Sequence, residues 1–237
     1  MVHEVCVVGA GRVGSALAAR LRQRGVHVRT SGREIVVGSA ELVLLCVPDT
    51  AISEVARHVE IGPWVAHVSG ATRLDALDPH VRRFGLHPLQ TFTHNRGPEQ
   101  IDGAFAAVTA ETQEAREYGF ELARLLGLRP FELEDSDRAL YHAGAVVASN
   151  YIVTLFRTAA ALLEEAGAPA EALVPLMQRT IENDFELTGP IERGDWESVQ
   201  AHLATISDRA PEFEQLYAVL AEATARIAGR PFEVPTA

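Results

Sequence analysis

The sequence contains no lysine: its 21 basic side chains other than histidine are all arginine. A guanidinium keeps its proton, so it binds anions but is a poor proton-transfer group and forms no Schiff base. Mechanisms that need a lysine are thereby excluded. These include the Tyr/Lys pair of short-chain dehydrogenases and the lysine-dependent 3-hydroxyacid and ketopantoate reductases. Cysteine is nearly as scarce. Cys6 and Cys46 both lie in apolar, strand-like runs, where a reduced thiol acts as a small hydrophobe. With no C-x-x-C and no grouped Cys/His spacing, neither a disulfide framework nor a metal site is expected. Positive charge is short as well: 32 acidic residues leave a net charge of -11, which argues against a nucleic-acid surface. No stretch reads as long and apolar enough to cross a bilayer, and the N-terminus enters a strand at once. A cytoplasmic protein with no membrane partner is the expectation.

What is present begins with Val5 to Val8, a continuous apolar run, followed directly by G-A-G-R-V-G. Gly9, Gly11 and Gly14 have the spacing G-x-G-x-x-G, and the helix-forming stretch after them ends at Gly25. Strand, tight turn and helix in that order form the context in which this spacing cradles a dinucleotide. Gly9 permits the turn, Gly11 lets backbone approach a pyrophosphate, and Gly14 lets helix and strand pack closely. The helix N-terminus adds free N–H groups and a partial positive charge. Gly9, Gly11, Arg12, Val13 and Gly14 are the first cofactor-binding candidates. The competing structural reading is a glycine-rich turn that binds nothing.

Alternating strands and helices continue through the N-terminal half. Strands are predicted at Glu4–Val8, Val26–Thr30, Leu42–Val47, W-V-A-H-V, R-F-G-L-H-P and A-F-A-A-V-T. Helices are predicted from Arg12, from Ala51 with Asp49 as its cap, and from Gln113 to Leu126. That order implies a Rossmann-like, doubly wound, mostly parallel α/β sheet. Only about a dozen residues separate strand two from Leu42, close to the minimum for a parallel crossover. The element that normally walls the adenine end must be shortened or missing. From Ser136 onward the pattern is helical: Asp137–Ala166, Ala170–Glu186 with a kink or restart at Pro175, Trp196–Ile206 and Pro211–Ala228, with a loop at Leu187–Asp195. Two domains are read, 1–134 and 135–237, the second all-helical.

Candidate chemistry falls at strand ends and on the first long helix. After strand two, an NAD site usually carries an acidic residue, whereas Ser31 and Arg33 suit a 2′-phosphate and hence NADP; Glu34 keeps NAD as the lesser alternative. Ligands of doubly wound sheets sit at the carboxyl ends of strands. There Val47, Pro48, Asp49 and Ser69 are further cofactor candidates, and His87 and Gln90 are substrate candidates. The plainer reading of His87 with Pro88 is an ordinary structural turn. In Y-H-A-G-A-V-V-A-S-N-Y, three polar side chains interrupt an apolar helix. At ~100° per residue, Ser149 lies ~20° and Asn150 ~80° from His142. Buried polar groups need partners, so this face serves either helix–helix hydrogen bonds or a substrate. His142 is the best proton donor, Asn150 its catalytic companion, and Ser149 and Arg193 substrate contacts; Asp195 caps the helix at Trp196.

Taken together, G-A-G-R-V-G, C-V-P-D, H-V-S-G, H-P-L-Q-T-F, Y-H-A-G-A-V-V-A-S-N and L-T-G-P-I-E-R-G-D resemble a family of little-characterised oxidoreductases. Its members join a Rossmann-like domain to a helical domain of unknown function, of the type numbered 2520. The architecture is similar to pyrroline-5-carboxylate reductase and prephenate dehydrogenase, the latter sharing His-Pro after a strand. The resemblance implies NADP binding, a helical dimerisation domain and a cleft between domains. The segment after strand two departs from the pattern. The resulting expectation is an NADP-dependent oxidoreductase, a homodimer, moving a hydride between nicotinamide and a small carbonyl or imine substrate. The alternative is a non-catalytic, dinucleotide-binding regulatory or scaffold protein. A deazaflavin-dependent reductase is a third reading, by fold analogy only.

Overall fold

In the computed structural model, residues 2–32 and 35–232 are described. They divide into two compact units, Met1–Ser149 and Asn150–Ala237. The first unit holds a seven-stranded sheet: β1 (Glu4–Val8), β2 (His27–Ser31), β3 (Leu42–Leu45), β4 (Trp64–His67), β5 (Arg83–Pro88), β6 (Phe105–Thr109) and β7 (Arg129–Glu132). The strand order is β2-β1-β3-β4-β5-β6-β7. Every neighbouring pair is parallel except β5 with β6, which is antiparallel. The sequence reading of a doubly wound, mostly parallel sheet is therefore correct.

Alternate strand residues supply two separate cores. Val5, Val7, Leu42, Leu44, Ala66, Phe84 and Leu86 pack with α1 (Arg12–Gln23) and α3 (Gln113–Leu126). Cys6, Val8, Val43, Leu45 and Val65 pack with α2 (Ile52–Arg57) and the turn Leu74–Leu77. Strands covered on both faces read as unbroken apolar runs, which is why they were visible in the sequence. Thr112 caps α3 by accepting from Ala115 N–H at 3.2 Å, and Gly127 ends it in the left-handed region at φ 87°.

Four expectations need correction. β7 is absent from the predicted strands; it contains Pro130, which cannot donate to a ladder, and lies at the sheet's edge. Asp49 makes no side-chain cap; it lies inside a single 3-10 turn, Asp49–Ala51, ahead of α2. The loop Leu187–Asp195 contains a short helix, α7 (Pro190–Arg193). Finally, the continuous helix Asp135–Glu165 is long and apolar enough to cross a bilayer by length and composition, with mean hydropathy 1.5 in its most apolar 18 residues.

That helix comprises α4 (Arg138–Val146), a π segment (Val147–Tyr151) and α5 (Ile152–Glu165). The first unit ends within the π segment. The composition change at Ser136 marks where the helix starts, whereas the division by contacts comes later, because Arg138 at the head of α4 is fully buried in the sheet unit.

The second unit continues with α6 (Leu173–Glu182), α7, α8 (Trp196–Arg209) and α9 (Glu214–Ile227). Asp195 caps α8 as predicted, accepting from Ser198 N–H at 3.1 Å. The small core here is Ile191, Val199, Ala221 and Ala225. No residue of α5 is buried.

Candidate functional site

Strands β1, β3, β4 and β5 are mutually parallel, so their carboxyl ends share one edge of the sheet. β2 and β3 flank β1 on opposite sides, so the direction of winding reverses between β1 and β3. A crevice is expected there. The three glycines occupy it in three distinct ways. Gly9 has φ 101°, and a Cβ on it would sit 2.5 Å from Cys46 O. A Cβ on Gly14 would collide with the carbonyl oxygen of Gly9. A Cβ on Gly11 would meet nothing within 4 Å. Turn, helix packing and open approach are thus divided among the glycines as the spacing requires. Gly11 is the N-cap of α1, with no side-chain cap and no acidic residue in the first turn. This cradle fits the pyrophosphate of a dinucleotide: open space, free N–H groups and the positive end of a helix coincide.

Arg12 is exposed and Val13 half-buried at the start of α1. Val47 lies against the turn, its Cγ1 3.2 Å from where a Gly9 Cβ would stand, and Pro48 and Asp49 are exposed beyond it. Ser31 ends β2, is 8% exposed and accepts from Val36 N–H at 3.3 Å. Arg33 and Glu34, on which the choice of NADP over NAD turned, lie outside the described residues. Between β2 and β3 the described residues form neither helix nor strand.

Farther along the edge lies a cluster of polar side chains inside the first unit. His87 Nδ1 and Tyr141 Oη are hydrogen-bonded at 2.7 Å. The His142 ring stands edge-on to His87, with centroids 6.1 Å apart. Both histidines press on Gly70: a Cβ there would be 2.6 Å from His142 Cδ2 and 3.0 Å from His87 Nε2. Gly70 is therefore small because two imidazoles need its space. Behind them Arg138 is fully buried, donating to Thr109 Oγ1 at 2.8 Å and to the Ser69 carbonyl. Among the described residues no carboxylate forms an ion pair with it, and its Nε has no partner. His67, also fully buried, has neither ring nitrogen bonded. Gly85 makes room for both: a Cβ on it would be 2.7 Å from Arg138 Nη1 and 3.2 Å from His67 Cε1.

The electrostatics follow from burial around a fixed cation. Burial first, then Arg138 and His87, push the His67 imidazole down to about 3. Burial, then His142 and Arg138, push His87 down to about 4. Both rings are neutral near pH 7. Burial raises the Tyr141 hydroxyl to about 12, with Arg138 pulling the other way. Tyr141 therefore keeps a proton to donate, beside a neutral imidazole. Burial likewise lifts the Cys46 thiol to about 12, consistent with an inert, reduced side chain.

The other predicted residues are distributed differently. The Ser69 hydroxyl closes its own turn, donating to Thr72 Oγ1 and accepting from Ala71 and Thr72 N–H. The Gln90 amide is tied to Gln100 O and Thr91 N–H. Ser149 donates to Ala145 O, one turn back on its own helix. Asn150 and Arg193 are exposed and belong to the second unit; Arg193 donates to Thr188 O at 2.6 Å. The π segment widens the turn between His142 and Asn150, so the count at 100° per residue fails there. Three members of the cluster carried no earlier assignment. Tyr141 opens the same helical motif as His142, Arg138 stands three residues before it at the head of α4, and His67 is hidden in W-V-A-H-V.

The family described as Domain of unknown function (DUF2520) matches residues 104–224. No curated protein matches the sequence. Solved structures do. A candidate NADP oxidoreductase of Bacteroides fragilis is 21% identical, with TM-score 0.79 over 94% of this chain and 98% of that one. A protein of Thermotoga maritima is 20% identical, with TM-score 0.74 over 95% and 98%. A Streptomyces aurantiacus imine reductase is 16% identical, with TM-score 0.69 over 98% of each chain. At these identities the likeness is one of fold, the fold of dinucleotide-binding reductases.

Proposed function

The chain belongs to the DUF2520 family, and from that premise we propose that it is a nicotinamide-dinucleotide-dependent reductase of a small carbonyl or imine compound. One observation carries the proposal: an open glycine cradle at Gly11 shares a sheet edge with the proton-bearing cluster His87–Tyr141–His142. A bound nicotinamide supplies a hydride. The chain must then supply a proton to the atom that receives negative charge. Tyr141 holds that proton, and His87 Nδ1 orients its hydroxyl at 2.7 Å. His142, beside both His87 and Gly70, is the second donor and the route for returning a proton. Arg138 positions the cluster by tying α4 to Ser69 and Thr109, and its buried charge favours negative charge on neighbouring atoms.

NADP is the favoured cofactor, on the strength of Ser31 and Arg33 where an NAD site has an acid. A second copy of the chain is the partner proposed for the apolar helix Asp135–Glu165: Ile152, Val153 and Leu155 are exposed on α5, and Leu176 and Ile181 extend the surface on α6. Two-fold self-pairing is the commonest closure for such a surface. The free thiols Cys6 and Cys46 suit the cytoplasm. The test is NADPH consumption against a panel of aldehydes, ketones and cyclic imines, alongside NADPH binding by thermal shift. Stabilisation by NADPH with turnover of a panel member supports a reductase. Stabilisation with no turnover by any member favours the scaffold alternative.

A further inference from the structure

On the α1 face of the sheet unit, a cleft of about 200 Å³ opens between α1 and the loop 93–100. It is lined by Arg12, Ser15 and Ala19 on one side and Thr93, His94 and Arg96 on the other, with no acidic side chain. Elsewhere on the sheet unit, exposed arginines such as Arg73, Arg82 and Arg116 sit beside carboxylates. Neither Arg12 nor Arg96 has an ion pair or a side-chain hydrogen bond among the described residues. The acid of the loop, Glu99, and Asp102 just beyond it are already engaged. Glu99 accepts from Gly97 N–H at 2.9 Å, and Asp102 pairs with Arg20 at 2.6 Å.

The loop is built rather than slack. Gln100 is only 9% exposed, and its amide holds three backbone groups: it accepts from Thr93 N–H and donates to Arg96 O and Gly97 O. Arg20 on α1 donates to Pro98 O at 2.8 Å, fixing the loop to the helix. Two free guanidiniums are thus carried on opposed, tethered walls. Fixing the backbone that carries them before a ligand arrives lowers the entropy lost on binding.

We propose that this cleft is an oxyanion site, taking a phosphate-type group between Arg12, His94 and Arg96. The fork geometry of arginine suits such a group, and Thr93 adds a hydroxyl donor. The anion has two possible sources: the phosphates of the dinucleotide, which rests on the reading above, or an anionic group on the substrate, which does not.

Inorganic pyrophosphate is the probe, titrated calorimetrically into the full chain. The wild type should show saturable binding that weakens with salt. Arg96→Ala should lower the affinity roughly tenfold or more, and Arg12→Ala with Arg96→Ala should lower it further. Arg57→Ala, on α2 across the sheet, should change nothing. Absence of saturable binding in the wild type, or equal affinity in Arg96→Ala, overturns the proposal. NADPH then separates the sources. Displacement of pyrophosphate by NADPH, with both weakened by Arg96→Ala, assigns the cleft to the cofactor. Pyrophosphate binding that survives saturating NADPH assigns it to the substrate. Failure of NADPH to bind the wild type defeats the dinucleotide reading and leaves the pyrophosphate titration to decide the cleft alone.

Discussion

The sheet unit and the helical unit bury their apolar residues to very different degrees. In the first, β1, β3 and β4 are almost wholly buried, and two cores close on either side of the sheet. In the second, the core is four residues, and α5 has no buried residue despite its apolar composition. Each fully buried Leu or Val is worth ~1.5–3 kcal/mol, so the first unit holds itself together where the second leaves much of that energy unrealised. A self-sufficient unit can carry a precise site. A unit with exposed apolar helices offers the surface that the proposed second copy would cover.

The largest effect expected within the sheet unit comes from Gly14→Val. Its Cβ has no space beside the Gly9 carbonyl, so turn and helix must separate, at a cost on the order of 3 kcal/mol or more. Gly11→Val meets nothing and should fold like the parent, yet lose NADPH binding. Urea unfolding with NADPH thermal shift distinguishes the two. A Gly11→Val protein that binds NADPH normally refutes the cradle; a Gly14→Val protein of parental stability refutes the packing.

Next in size is Tyr141→Phe. It keeps the ring contact with Phe131 and removes the hydroxyl bonded to His87. Loss of a positioned proton donor should lower kcat by about 10²–10⁴, with KM little changed. Unaltered kcat in steady-state assays would move the proton role to His142.

These two predictions differ in how visible they were beforehand. The glycine turn was legible because all its parts are adjacent in sequence, and strands buried on both faces announce themselves as apolar runs. The cluster was legible only in part. His142 stood out as polar in an apolar helix. Tyr141 and Arg138 did not, because their partners His87, Ser69 and Thr109 are far away in sequence. His67 looked like one more strand residue. β7, which carries Pro130, was missed, and the π turn left no local mark.

The helical unit yields a prediction of similar kind but smaller size. Leu155→Asp sets a charge on the exposed face of α5. If a second copy covers that face, dimer dissociation should rise roughly hundredfold while the sheet unit keeps its unfolding midpoint. Sedimentation of wild type and variant measures this. A wild type that is monomeric at micromolar concentration removes the dimer.

Acid should act on the sheet unit instead. Unfolded, His67 takes a proton near 6.5; folded, only near 3. Between those values the unfolded state binds more protons. Its contribution to stability is therefore complete above about 6.5 and is lost as pH falls through the window towards 3. His87, down at about 4, adds to the loss. The urea midpoint should drop between pH 7 and pH 4.5, and drop less in His67→Leu, which cannot take the proton. Equal drops would mean that His67 is hydrated and titrates normally.

The smallest effect concerns the cofactor's far end. Preference for NADPH should be modest, because the wall between β2 and β3 is short and Ser31 already accepts from Val36 N–H. A 2′-phosphate must then be held chiefly by Arg33. One charge-assisted contact is worth ~1.5–3 kcal/mol, about ten- to a hundredfold in affinity, and on so open a wall the lower end applies. Thermal-shift titrations should show greater stabilisation by NADPH than by NADH at equal concentration, since stabilisation follows affinity by mass action. Arg33→Ala should narrow the gap by about tenfold, while Ser31→Ala should scarcely alter it. Greater stabilisation by NADH would reverse the cofactor assignment and turn attention to Glu34, whose carboxylate can accept from both ribose hydroxyls of NAD.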